Sequence, residues 1–213
     1  MKKGVFVTAT DTGVGKTYFA CALAEALKKN GCDIGVMKPF CSGVRSDVTK
    51  LIKAAGVKDK VDEVNPEFFR SPLAPLAAAR LERKTIGMPA VLKKFAGLSQ
   101  KHDFMIVEGA GGLEVPIKNN YTVVNLIRDF KLPVIVVARA GLGTINHSVL
   151  SVKRLRSEGI RVSGIVLSGR SKDSPAERTN PAIVARMTKL PVVELRRNSR
   201  LSKKDILKLG IKL

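Results

Sequence analysis

The sequence predicts an α/β fold: a mostly parallel β-sheet with helices on both faces. Three observations predict it. Short apolar runs rich in β-branched residues recur along the chain, helical patterns lie between most of them, and the first run passes through a glycine-bearing loop into a helix. Continuous apolar strands alternating with helices are what a sheet buried on both sides requires.

The elements follow in order. GVFVT (4–8) is the first strand. In KTYFACALAEALKK, Phe19, Leu23 and Leu27 recur every four residues with Ala20 and Ala24 beside them, which is one face of a helix. Further strands read IGVMK (34–38), FMIVEG (104–109), PVIVVA (133–138), VSGIVLS (162–168) and PVVEL (191–195). Helical patterns cover 46–55, 89–101, 144–158 and 180–189. GRSKDSPAERTNP (169–181) reads as a polar loop, and 56–75 as an irregular stretch with X-Pro steps that include Asn65-Pro66 and Ser71-Pro72. There is no internal repeat, and the length fits one domain over 1–213.

The chemistry collects at strand ends. VTATDTGVGKT (7–17) joins the first strand to the first helix. The free N–H groups of such a helix start, and its dipole, favour an anion. Gly13 and Gly15 let the backbone approach phosphate oxygens, Lys16 reaches the β- and γ-phosphates, and the Thr17 hydroxyl suits Mg²⁺. The alternative is an ordinary capped helix start, which does not account for strand, glycines, Lys-Thr and helix together. The strict phosphate-loop pattern wants a glycine five places before Gly15, where Thr10 stands.

The second strand ends in MKPFCSGVRSD, with Lys38, Ser42 and Asp47, and the third in VEGAGG, where Glu108 leaves an apolar run into Gly109, Gly111 and Gly112. An acid so placed holds the metal of a nucleotide; the alternative for Glu108 is a structural or capping acid. Lys38 alone would read as a surface lysine, but Pro39, Ser42, Gly43 and Asp47 share its loop. A fourth strand end, ARAGLGTINHS, offers another helix start suited to a carboxylate, with Gly143, Thr144, Ile145 and Asn146. For Asn146 and His147, helix capping stands as an equal alternative. His102, in the turn KHDF, reads as a solvated residue.

Composition narrows the classes. No apolar run approaches the roughly 20 residues of a membrane span, and the N-terminus lacks the apolar core of a signal peptide. Three cysteines without C-x-x-C spacing read as reduced cytoplasmic thiols. The net charge of +20 raises nucleic acid as a partner. From Lys153 onward there are 16 basic and 5 acidic residues but no aromatic side chain on which a base could stack, so a solvated basic surface is the better reading.

TDTGVGKT, KPFCSG with Ser46-Asp47, VEGAGG and GLGTINH occur in the order found in the dethiobiotin synthetases, which the chain resembles from residue 4 to about residue 168. The resemblance implies a P-loop NTPase fold, a homodimer in the cytoplasm, Mg²⁺ and ATP. It further implies carboxylation and ring closure of 7,8-diaminononanoate with CO2. By motif, Thr12, Gly13, Val14, Gly15, Lys16 and Thr17 would wrap the triphosphate, with Gly109 and Gly111 nearby. Thr17, Asp47 and Glu108 would hold Mg²⁺; Lys38, Lys16, Thr12 and Ser42 would face the reacting end of the substrate. Gly143, Thr144, Ile145 and Asn146 would take its carboxylate from the partner subunit.

The family glycine lies six places before Gly15, where this chain has Ala9, so Thr10 is no defect and Ala9 is tolerable at negative φ. Ser168-Gly169 replaces the asparagine that reads adenine, and ELRRN a Gly-x-Ile-Pro-like segment. A partition-type ATPase switch is the alternative. It would need a further lysine early in the loop, and Thr8, Ala9, Thr10 and Asp11 supply none.

Overall fold

A computed structural model describes residues 3–170, 174–196 and 198–212. Its first half runs β1 (Gly4–Ala9), α1 (Lys16–Lys29), β2 (Ile34–Met37), β3 (Phe40–Ser42), α2 (Ser46–Ala55), α3 (Val61–Val64), β4 (Glu67–Phe69), α4 (Pro75–Leu81), α5 (Met88–Lys101) and β5 (Phe104–Glu108). The second half runs β6 (Pro116–Lys118), β7 (Tyr121–Thr122), α6 (Val123–Phe130), β8 (Val134–Arg139), α7 (Thr144–Ser157), β9 (Val162–Arg170), α8 (Pro175–Thr188), β10 (Val192–Arg196) and α9 (Lys203–Lys208).

The six expected strands form one sheet in the order β10-β9-β8-β1-β5-β2, parallel throughout. Alternation along each strand divides the core in two. Phe6, Met105 and Val107 pack with α5, α6 and α7 on one face, where the Phe95 and Phe130 rings lie 4.5 Å apart. Val5, Val7 and Ile106 pack with Phe19, Leu23 and Leu27 of α1 and with α2 on the other. No helix among the described residues is long and apolar enough to cross a membrane.

Two small sheets, β3 with β4 and β6 with β7, were not expected. Their strands have three residues at most, too few to show alternation. The irregular stretch 56–75 contains α3 and β4. The expected loop over 169–181 needs correction, because α8 begins at Pro175 and carries Pro181 inside it. Ser174 caps it by accepting the Glu177 N–H, and Pro175 sits in the first turn, where its missing N–H costs nothing. Serine followed three places later by glutamate was the legible signal, obscured by two prolines. Residues 171–173 of that stretch lie outside the described ones.

His102 also departs from expectation. It caps α5 at the sheet end opposite the phosphate loop, its side chain only 12% exposed. Its ring lies over Gly35, where an added Cβ would come within 2.6 Å of Cδ2. Nδ1 meets Asp33 at 2.9 Å and Nε2 meets Asp59 at 2.8 Å, while Lys101 lies 3.5 Å from the same Asp59 carboxylate. Burial pulls the imidazolium down, but the two carboxylates outweigh it and raise His102 above the usual histidine value. A raised folded pKa means stability fully present below about pH 6.5 and lost as pH rises through the folded value. His102→Gln should therefore lower the urea midpoint at pH 6, and the gap from the parent should narrow steadily towards pH 9. A gap independent of pH would show that the contact is not ionic.

Candidate active site

Strand register creates the site. β1 and β5 pair with Val7 opposite Glu108, and β2 and β5 pair with Met37 opposite Val107. Lys38 and Glu108 are thus the next residues along two adjacent parallel strands, and their side chains meet. Lys38 Nζ donates to Glu108 Oε1 at 2.5 Å, and Thr17 Oγ1 donates to the same oxygen at 2.7 Å. Asp47, in the first turn of α2, lies 3.3 Å from Lys38 Nζ. Glu108 is fully buried, Lys38 6% exposed and Lys16 8% exposed. The structure therefore brings together Thr17, Lys38, Asp47 and Glu108 from four separate segments.

The loop before α1 is braced from within. The Thr12 N–H donates to Asp11 Oδ1 at 2.7 Å, Arg139 reaches Asp11 Oδ2 at 3.0 Å, and Lys16 Nζ donates to the Asp11 carbonyl at 3.3 Å. Gly15 has φ +103°, and a Cβ there would sit 2.4 Å from the Ser168 hydroxyl, so only glycine fits. Ala9 ends β1 and is not among the residues with positive φ, which is why a side chain is tolerated there. The segment after β10 is tied to the helix start, since the Tyr18 hydroxyl donates to the carbonyls of Arg196 at 3.2 Å and Ser199 at 3.1 Å.

Burial pulls Lys16 down to about 8; Glu108 opposes the shift and Lys38 adds to it. For Lys38 burial acts in the same direction, but the Glu108 contact and Asp47 outweigh it, and its pKa is raised. Glu108 Oε2 is buried with no hydrogen-bond partner among the described residues. An ammonium already stands among oxygens of Glu108 and Asp47, and Thr17 shares the Glu108 oxygen. This donor set fits Mg²⁺, which takes one or two carboxylates and completes its shell with phosphate and water. Among the described residues no group of three or more His, Cys, Asp or Glu converges, as a transition-metal site would need.

Beside Thr12 lies a cavity of about 620 Å³ walled by Leu113, Val115, Pro116 and Leu150, with Arg154 at its side. Gly109 and Gly111 follow Glu108 in the loop forming this wall, and a Cβ on Gly111 would lie 3.4 Å from Thr12 Oγ1. Ser42 ends β3, half-buried. The helix start at Gly143, Thr144, Ile145 and Asn146 does not join the cluster: no hydrogen bond or ion pair among the described residues links them. Gly143 is the N-cap without a side-chain cap, so Asn146 does not cap α7, and Leu142 is 88% exposed beside it. Sequence reasoning missed Asn65, fully buried behind Lys38; it is visible in the sequence only as an X-Pro step within the irregular stretch 56–75.

The description "AAA domain" matches residues 3–203 of the chain. The chain is 44% identical over 206 residues to an ATP-dependent dethiobiotin synthetase BioD of Endomicrobium trichonymphae, covering 94% of this chain and 95% of that protein. It is 46% identical over 187 residues to the protein of the same name from Aquifex aeolicus, covering 86% and 84%. With that of Bacillus subtilis strain 168 it shares 42% over 198 residues, covering 90% and 85%.

Removing one partner of a buried ion pair strands the other charge, at about 3–5 kcal/mol, whereas a partly exposed partner contributes about 1 kcal/mol or less. Urea unfolding should therefore find Glu108→Ala destabilised by about 3 kcal/mol and Asp47→Ala by less than about 1 kcal/mol. Equal losses would mean that the Glu108 carboxylate is not the anchor of Lys38.

Proposed function

The chain belongs to the ATP-dependent dethiobiotin synthetase family, and from that premise we propose that it carboxylates 7,8-diaminononanoate with CO2 and closes the ring to dethiobiotin at the expense of ATP. The observation that carries this reading is the convergence of Thr17, Lys38 and Asp47 on Glu108, beside the phosphate loop that holds Lys16. The 213 residues act as a single P-loop domain in the cytoplasm, in keeping with three free cysteines.

One substrate amine adds to CO2 and loses a proton, giving a carbamate. A carbamate oxygen attacks the γ-phosphorus, ADP leaves, and a carbamic–phosphoric anhydride results. The second amine then attacks the carbonyl carbon, expels phosphate and gives up a proton, closing the ring. Each stage before closure gathers negative charge, so the protein's part is to position reactants and hold cations against them. Residues 12–17 wrap the triphosphate, which Lys16 and the N–H groups of residues 13–17 bind. Lys38 neutralises the carbamate as it meets the γ-phosphate, with Thr12 and Ser42 orienting the amines. Thr17, Asp47 and Glu108 would hold Mg²⁺, whose charge offsets that of the phosphate oxygens. The cavity walled by Leu113, Val115 and Leu150 suits an alkyl chain.

Two variants separate these roles. Lys16→Ala should lose well over tenfold in turnover, because a preorganised charge at the transition state is worth several kcal/mol. Lys38→Ala should abolish phosphate release with diaminononanoate and bicarbonate while nucleotide affinity by calorimetry stays near normal. A collapse of nucleotide affinity in Lys38→Ala would put Lys38 in the phosphate site instead.

The protein works as a homodimer in which Gly143, Thr144, Ile145 and Asn146 bind the substrate carboxylate at the partner's site. Support comes from the helix start lying apart from the cluster and from exposed Leu142 and Leu150 beside it. Mixing inactive Lys16→Ala with inactive Asn146→Asp chains leaves one site per mixed dimer with both parts intact, so activity should return to about half per mixed dimer. Proven subunit exchange without recovery would place the carboxylate site within one chain.

A further inference from the structure

Lys38 meets the carbamate in the proposed chemistry; Glu108 and Asp47 hold the tip of its side chain, and its base must be held as well. Four rotatable bonds separate its ammonium from the backbone, so its aim depends on where that backbone is held. β2 ends at Met37, and Lys38 begins the link to β3. The segment 64–67 lies alongside. The Lys38 N–H donates to the Val64 carbonyl at 2.8 Å, and the Glu67 N–H donates to the Pro39 carbonyl at 3.1 Å.

Between those two bonds the pairing lacks main-chain donors, because Pro39 and Pro66 carry no N–H. The side chain of Asn65 stands in for them. Its Nδ2 donates to the Lys38 carbonyl at 2.9 Å and to the Glu67 carbonyl at 3.1 Å. Both protons of one amide are used, on carbonyls that belong to two different segments. Asn65 is itself fully buried, and its N–H is held by the Val61 carbonyl at 2.7 Å. Its Oδ1 has no partner among the described residues, a cost that would be absent had the position been built for packing alone.

We propose that Asn65 is a positioning residue for the carboxylation reaction: it clamps the Lys38 main chain, through its carbonyl, so that the ammonium meets the carbamate in register with the γ-phosphate. The inference rests on the role given to Lys38 above. Among the described residues Asn65 hydrogen-bonds Lys38, Glu67 and Val61 and no residue of the triphosphate loop, so it serves the carbamate half of the site and not nucleotide binding. A misplacement of about 1 Å at a reacting group costs on the order of a hundredfold in rate.

The test is a split between turnover and nucleotide affinity. Asn65→Ala is assayed for phosphate release with diaminononanoate, bicarbonate and ATP, and for binding of a non-hydrolysable ATP analogue by calorimetry. The expected result is a fall in kcat of at least tenfold with an analogue Kd within about twofold of the parent. Asn65→Ser keeps one donor and should recover part of the lost kcat; it also carries the same test should Asn65→Ala fail to fold. Unchanged kcat in Asn65→Ala, or losses of kcat and analogue affinity in equal measure, would overturn the positioning role. Lys38→Ala is run beside them. Full turnover there would overturn the reading of Lys38 itself, whereas an inactive Lys38→Ala with a fully active Asn65→Ala would overturn the Asn65 inference alone.

Discussion

A carboxylate with no exposed surface is tolerated in a folded protein only if its counter-charges and hydrogen bonds come with it. Glu108 is such a group, and much of the molecule serves it. β5 lies between β1 and β2, so the phosphate loop that follows β1 and the lysine that follows β2 come to either side of the acid. Thr17 reaches it from the first turn of α1, and Asp47 approaches the shared lysine from the first turn of α2. The charge that anchors Lys38 would also attract the cation proposed to accompany the polyphosphate.

Lys16 and Lys38 illustrate how one environment separates two like groups. Both are nearly buried, and burial disfavours the charged form of each. Lys38 has a carboxylate in direct contact and its pKa is raised; among the described residues Lys16 Nζ hydrogen-bonds a backbone carbonyl and no carboxylate, and is left with a lowered value of about 8. The cation without a direct counter-ion is the one placed inside the phosphate loop, where an incoming anion would supply it.

The sheet was readable because its strands are buried on both faces, and continuous apolar runs of five to seven residues between helical patterns allow little else. The clustering of Lys38, Asp47 and Glu108 was readable too, since ligands in parallel sheets meet the carboxyl ends of strands. What stayed hidden depended on tertiary partners. β3 and β6 owe their strand character to a neighbour and show no period of their own. His102 looked like a turn histidine, because Asp33 and Asp59 are distant in sequence. Asn65 looked like one residue of an irregular stretch, and only the fold shows that its amide replaces missing main-chain donors. α8 was a different failure: its cap was written in Ser174 and Glu177, and Pro181 outweighed it.

The sheet order also has a kinetic side. β2 follows β1 in the chain but does not pair with it; the gap between them is filled by β5, roughly 70 residues further on. Neither early strand can gain its inner neighbour until that later segment has been made and docked. Contacts between distant segments form slowly, because the intervening chain must first lose its freedom. A ribosome-bound fragment ending before residue 104 therefore has the phosphate-loop sequence but neither the central rung nor the acid that orders the site. The acid that gathers Thr17, Lys38 and Asp47 is absent until β5 has been made and docked.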